Sequence, residues 1–140
     1  GFKAVELYEA IKERSDGHAL ALNNIGIGYE RLKAFDKALV HYQKALVLQQ
    51  ELENQGEVAK MLNNIGNIYL QKGQKANDKK LFRSALDNYL KSLDILKINE
   101  DKNLTARVYN NIGNTYWELR DFEKALPFLL MLPQALLSEK

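Results

Sequence analysis

Apolar residues recur along this chain with a helical period. Leu22, Ile25, Gly26, Tyr29 and Leu32 fall at i, i+3, i+4, i+7 and i+10, one face of an amphipathic helix. Leu62, Ile65, Gly66 and Tyr69 repeat the pattern, and Tyr109, Ile112, Gly113, Tyr116 and Leu119 give it a third time. A second pattern follows the first copy as Ala38, Tyr42 and Ala45, and the second as Ala85, Tyr89 and Ser92. Turn-forming residues divide the patterns at Lys33–Phe35 and Arg120–Asp121, and divide one pair from the next at Asn54–Gly56 and Asn99–Asn103. The expectation is an all-α stack of helical hairpins.

The tetrapeptide NNIG marks each first helix, at Asn23–Gly26, Asn63–Gly66 and Asn110–Gly113. Its glycines lie 40 and then 47 residues apart. Gly26 and Gly113 each precede the alanine of the second helix by 12 residues, whereas Gly66 precedes Ala85 by 19. Seven extra residues, roughly Gln74–Lys80, therefore enlarge the middle repeat, and the underlying period is 40. This predicts repeats over residues 18–57, 58–104 (insertion near 74–80) and 105–140, in one domain spanning 1–140. Residues 1–17 read as a leading half-repeat, since Ala4 and Tyr8 stand where Ala38 and Tyr42 stand. Its partner helix would lie upstream of Gly1, so a piece of a longer protein is expected. A glycine in mid-helix costs about 1 kcal/mol relative to alanine. Its repetition predicts close approach by a neighbouring helix.

Composition narrows the function. A formal charge of +2 gives no footprint for nucleic acid or an anionic membrane. No apolar run reaches the length of a bilayer span. The absence of cysteine excludes disulfides and thiolate chemistry and fits any compartment. His18, expected in a turn, and His41, expected on an outer helix face, have no companion ligand, so no metal is expected. The sequence GIG at Gly26–Gly28 lies in a helical pattern with no strand before it, which excludes a dinucleotide fingerprint. The insertion QKANDKK is not a phosphate loop and is expected as additional helical turns, the alternative being a second binding element. There is no catalytic constellation and no cofactor is implied.

The small residue and tyrosine of each first helix, with small–aromatic–small on the second, resemble tetratricopeptide repeats. That family's usual period is 34. The 40-residue period resembles the longer-helix branch that includes Leu-Gly-Asn-repeat adaptors, kinesin light chains and bacterial regulators with such repeats. Ile65-Gly66-Asn67 and Ile112-Gly113-Asn114 stand at the corresponding triplets, while the first repeat departs with Ile27. The resemblance implies a right-handed superhelical solenoid with three repeats plus the half-repeat. It also implies a protein-interaction scaffold, within a larger signalling protein, that binds an extended peptide or partner segment in a concave groove.

In that family the groove is lined by a second stripe on each first helix. Here the stripe reads Leu20, Asn23, Asn24 and Ile27, then Lys60, Asn63, Asn64 and Asn67, then Arg107, Asn110, Asn111 and Asn114. Eight asparagines in mid-helix, at ~0.5 kcal/mol each, forfeit roughly 4 kcal/mol of intrinsic helicity. An asparagine both donates and accepts, so a ladder of them can hold a peptide backbone whatever its sequence. The alternative is that one asparagine of each pair bonds a neighbouring helix and sets the spacing between repeats. Lys60, Arg107 and Arg31, opposed by Glu30 and Glu118, would suit a mildly acidic or C-terminal peptide. Trp117 stands either at the groove edge or as a half-buried structural residue.

The C-terminal stretch ALPFLLMLPQALL is apolar nearly all round, and Pro127 and Pro133 are expected to disturb its helix. Leu129 and Leu132 replace the aromatic and the small residue of the other second helices. Phe128, Leu130 and Met131 would then be covered by a missing part of the chain or by another chain. A self-association module, a homodimer formed through this end, is the second functional expectation.

Overall fold

The computed structural model describes residues 2–137, with the side chains of residues 3–131. Among these residues all regular structure is α-helix: α1 (Phe2–Arg31), α2 (Phe35–Glu51), α3 (Gln55–Ala76), α4 (Lys79–Leu96), α5 (Lys102–Glu118) and α6 (Phe122–Leu137). Successive helices pair as the hairpins α1–α2, α3–α4 and α5–α6, and the hairpins stack through α2 on α3 and α4 on α5. The expected three-hairpin, all-α architecture is the one observed.

The repeated glycines set the spacing inside each hairpin. A Cβ added at Gly26 would lie 2.6 Å from Cδ1 of Tyr42, and one at Gly66 would lie 2.7 Å from Cδ1 of Tyr89. At Gly113 the neighbour is Cδ2 of Leu129, at 2.6 Å. No real side chain fits at such distances, so the bulky residue of the second helix occupies the place the glycine leaves open. Ala38, Tyr42, Ala45, Ala85, Tyr89 and Ser92 are all fully buried. The Ser92 hydroxyl donates to the carbonyl of Ala59 at 2.7 Å, which ties α4 to α3.

The insertion lengthens its hairpin instead of forming a loop. Relative to the first hairpin, α3 runs five residues further past its glycine and α4 starts three residues further ahead of its alanine. The turn shortens from three residues (Leu32–Ala34) to two, Asn77 and Asp78. Gly73 and Phe82, seven residues beyond Gly66 and seven before Tyr89, repeat the glycine–aromatic contact, with a Cβ at Gly73 falling 2.7 Å from the ring. The Asp78 carboxylate caps α4 by accepting from the N–H of Lys80 at 2.9 Å, and Asp101 caps α5 by accepting from Leu104 at 3.1 Å.

Several expectations need correction. No break separates the half-repeat from the first repeat: α1 is continuous through Asp16, Gly17 and His18, so His18 is helical and not in a turn. One glycine among good helix formers costs about 1 kcal/mol, which is too little to end a helix. Ile25 is 46% exposed although its counterparts Ile65 and Ile112 are buried. Those two are covered by α2 and α4 of the preceding hairpin. Ile25 has no such neighbour among the described residues. Leu32 lies in the turn after α1 and is exposed. Val5, Leu7, Tyr8 and Ile11 are likewise exposed, and Tyr8 lacks the cover that buries Tyr42. His41 is half-buried, with its ring 5.3 Å from that of Tyr29.

The last helix accommodates both prolines. Each still lacks the N–H that would bond back one turn. Phe128, expected on an associating surface, packs inside its own hairpin, 5.9 Å from the Tyr116 ring and 6.1 Å from that of Tyr109. Leu130 and Met131 are exposed at 69% and 43%. The Leu132 side chain lies outside the described residues.

Candidate functional site

The first helices α1, α3 and α5 lie side by side and carry the asparagine stripes. Two of the pairs are linked directly. Asn64 donates through Nδ2 to Oδ1 of Asn23 at 3.1 Å, and Asn111 donates to Oδ1 of Asn63 at 2.9 Å. The second asparagine of one NNIG copy thus reaches back to the first asparagine of the copy before it. These bonds join successive repeats, the arrangement the structural alternative describes, and Asn63 is buried.

The same asparagines border open space. A recess of about 600 Å³ between α3 and α5 is lined by Asn63, Asn64, Asn67, Asn103, Ala106, Arg107, Asn110 and Asn111. Asn67 also accepts from the Tyr89 hydroxyl at 2.6 Å. An amide engaged in one such bond keeps further donor or acceptor capacity for a ligand. Asn103 and Ala106 were absent from the expected stripe and lie one turn ahead of Arg107 and Asn110, respectively, on the same helix. Arg107 is exposed in this recess, whereas Lys60 is paired with Glu57 at 3.3 Å.

Other expected site residues sit elsewhere. Asn24 and Asn114 are exposed and line no part of this recess. Ile27 is half-buried against the cluster of Ala38, Tyr42, Ile65 and Ile68. Trp117 is half exposed and meets the Phe122 ring edge-on at 4.8 Å, where α6 begins. Glu30 is drawn into a bridge between hairpins: it accepts from the Tyr42 hydroxyl at 2.7 Å and from the Gln71 amide at 2.8 Å. Burial, then the hydrogen bond to Glu30, raises the Tyr42 pKa far above the usual tyrosine range. Burial, then the charge of Glu30, does the same for Tyr89.

A further recess, of about 630 Å³, lies at the turn end of the first two hairpins, over Phe35, Ala76 and Leu81. Lys72 bonds Asp36 there at 2.7 Å and holds its carboxyl below the usual range. None of the sequence-predicted site residues lines it. Among the described residues no group of His, Cys, Asp and Glu is placed to hold a metal, and no helix is long and apolar enough to cross a membrane.

The family model for the tetratricopeptide repeat matches residues 17–77 and 57–131, most of the chain. The protein belongs to the tetratricopeptide repeat family. Members of that family generally serve as protein–protein interaction modules and are typically non-catalytic, and no enzyme family matched. Among curated proteins none matches the chain in sequence.

Solved tetratricopeptide repeat structures share the fold. The TPR domain of Arabidopsis FLU superposes with a TM-score of 0.78 at 23% identity, over 89% of this chain and 99% of that one. The N-terminal domain of stress-induced protein-1 (STI-1) from C. elegans gives 0.68 at 23% identity, over 86% of each. BtubC (BKLC) from P. vanneervenii gives 0.66 at 22% identity, over 86% of this chain and 47% of that one. The family expected from the sequence is therefore the family found, and at these identities the likeness speaks for the fold of this tetratricopeptide repeat domain.

Proposed function

We propose that this domain binds an extended segment of a partner protein along the face formed by α1, α3 and α5. The observation that carries the reading is the α3–α5 recess, where asparagines from both helices surround the exposed Arg107. Their amides can bond the N–H and C=O groups of a peptide backbone, and the guanidinium favours a carboxylate on that segment, from an acidic side chain or a C-terminus. Selection from a random-peptide display library, followed by calorimetry on the selected peptides, tests this. Asn110→Ala and Arg107→Ala should each weaken binding about tenfold, near 1.4 kcal/mol, with the fold intact by circular dichroism. Selected peptides that bind both variants as tightly as the wild type would overturn the reading.

A second reading is carried by α6, where Leu126, Leu130 and Met131 are all substantially exposed. A second copy of the chain covering this face would make the domain a self-association module. Concentration-dependent size in light scattering, abolished by Leu130→Glu, is the expected result. A concentration-independent monomer would eliminate it.

A further inference from the structure

Gln49 occupies a core position yet carries an unsatisfied oxygen. The residue is only 6% exposed, and its Oε1 has no hydrogen-bond partner among the described residues. The repeat register shows how unusual this is. Forty-seven residues on, at the equivalent place of the next second helix, stands Leu96, buried at 4% in an apolar cluster. A leucine would fill the site, and glutamine there leaves a buried acceptor unmet, which native proteins seldom tolerate without a use.

Gln49 also lines a recess of about 380 Å³ between α1 and α3, one repeat before the asparagine recess and on the same run of first helices. Asp16 and Glu57 contribute carboxylates to it, and Leu20 and Met61 contribute apolar wall. The Lys60 ammonium, the one cation there, is matched by Glu57 at 3.3 Å. Asp16 has no ion partner among the described residues. A lone acceptor on a side chain that borders a recess with surplus negative charge calls for a cationic donor. The apolar wall suits the methylene stem of a long basic side chain, whose head then meets the oxygens.

We infer that this recess receives an arginine or lysine side chain of the bound partner segment, with Gln49 Oε1 and the Asp16 carboxylate accepting from its cationic head. The inference rests on the proposed binding of a partner segment along this face and adds a specificity element to it. Arginine fits best, because a guanidinium has enough donors to serve both oxygens at once.

The test uses the 140-residue chain labelled with ¹⁵N and titrated with acetyl-Gly-Arg-Gly-amide, beside a twin in which neutral citrulline replaces arginine. Signals of the Gln49 side-chain amide and of the Ala19 and Met61 backbone should move with the arginine peptide, and about tenfold more of the citrulline peptide should be needed. Gln49→Leu should raise Tm, since it restores the apolar register, and should abolish the response. Asp16→Asn should weaken the response severalfold at unchanged Tm. A merely structural glutamine, satisfied by solvent, would give the Tm rise without any arginine-dependent shift. Equal response to the two peptides, a response that survives Gln49→Leu, or no response at tens of millimolar peptide would each overturn the inference. None of those results would bear on the α3–α5 recess, which is read through Asn110 and Arg107.

Discussion

Asn111 and Asn63 are joined amide to amide across a repeat boundary, Nδ2 to Oδ1 at 2.9 Å, and the acceptor residue is 3% exposed. Asn64 and Asn23 make the same bond one repeat earlier. The helicity forfeited by these four asparagines is thus offset by bonds between helices that the chain brings together only when its repeats stack. The bonds are also selective, because the amides meet only in one register of repeat on repeat.

Replacing Asn63 with alanine removes the acceptor and strands the Asn111 amide. Unfolding in urea should show a loss of about 1–3 kcal/mol. Asn24→Ala, on the exposed side of the same motif, should change stability by less than about 0.5 kcal/mol, in the favourable direction given by helix propensity. Equal effects of the two substitutions would show that the inter-repeat bond contributes nothing.

Glycine substitutions should separate by position in the same way. A Cβ at Gly66 would run into the Tyr89 ring, which is fully buried and has nowhere to move. Gly66→Ala should therefore destabilise by about 1–3 kcal/mol, despite the better helix propensity of alanine. Gly28, in the last turn of α1 with nothing within 4 Å of an added methyl, should gain up to about 0.5–1 kcal/mol on becoming alanine. Thermal or urea unfolding of the two variants, compared with wild type, gives both signs.

These contrasts show what can be read from residue order. Gly26 and Gly113 each stand 12 residues ahead of Ala38 and Ala125, and Gly66 stands 19 ahead of Ala85, so the hairpins and the seven-residue enlargement are legible in the sequence alone. The enlargement carries its own signal, since Gly73 and Phe82 sit seven residues outside Gly66 and Tyr89. The site is less legible. An asparagine looks alike whether it bonds a neighbouring helix or faces a ligand, and only the geometry shows that Asn23, Asn63, Asn64 and Asn111 bond across repeats. Gln49 gives no signal by residue type, because glutamine is ordinary on a helix surface. Its register against Leu96 is what marks it. The continuity of α1 is masked because Asp16-Gly17-His18 has turn-like composition, while its neighbours on both sides favour helix.

Among the described residues, four other than glycine adopt the left-handed conformation where helices end: Lys33, Glu53, Asn77 and Arg120. Asparagine tolerates this region, whereas the other three hold it at some cost. Glu53, at φ 55° and exposed between α2 and α3, makes the cleanest test. Glu53→Gly should stabilise the domain by about 0.5–1 kcal/mol, and Glu53→Val should destabilise it, since a β-branched residue fits this region worst. A loss of stability with glycine would mean that the side chain makes a contribution larger than the strain.

Alkaline pH should unfold this domain through its buried tyrosines. Tyr42 and Tyr89 are fully buried, donating to Glu30 and Asn67, and both pKa values lie above the ordinary 10.0. The folded state therefore keeps both phenols protonated after the unfolded chain has begun to lose its protons. Their contribution is fully present below pH 10 and falls as pH rises beyond it, because the unfolded state then binds fewer protons than the folded one. Each tyrosine steepens the decline by at most about 1.4 kcal/mol per pH unit. Urea midpoints measured between pH 8 and about 11.5 should be flat at first and then drop. Tyr89→Phe should lower the plateau by about 1 kcal/mol, for the lost bond to Asn67, and make the drop shallower. A drop of unchanged steepness in that variant would assign the alkaline sensitivity to other groups and refute the burial of the Tyr89 hydroxyl.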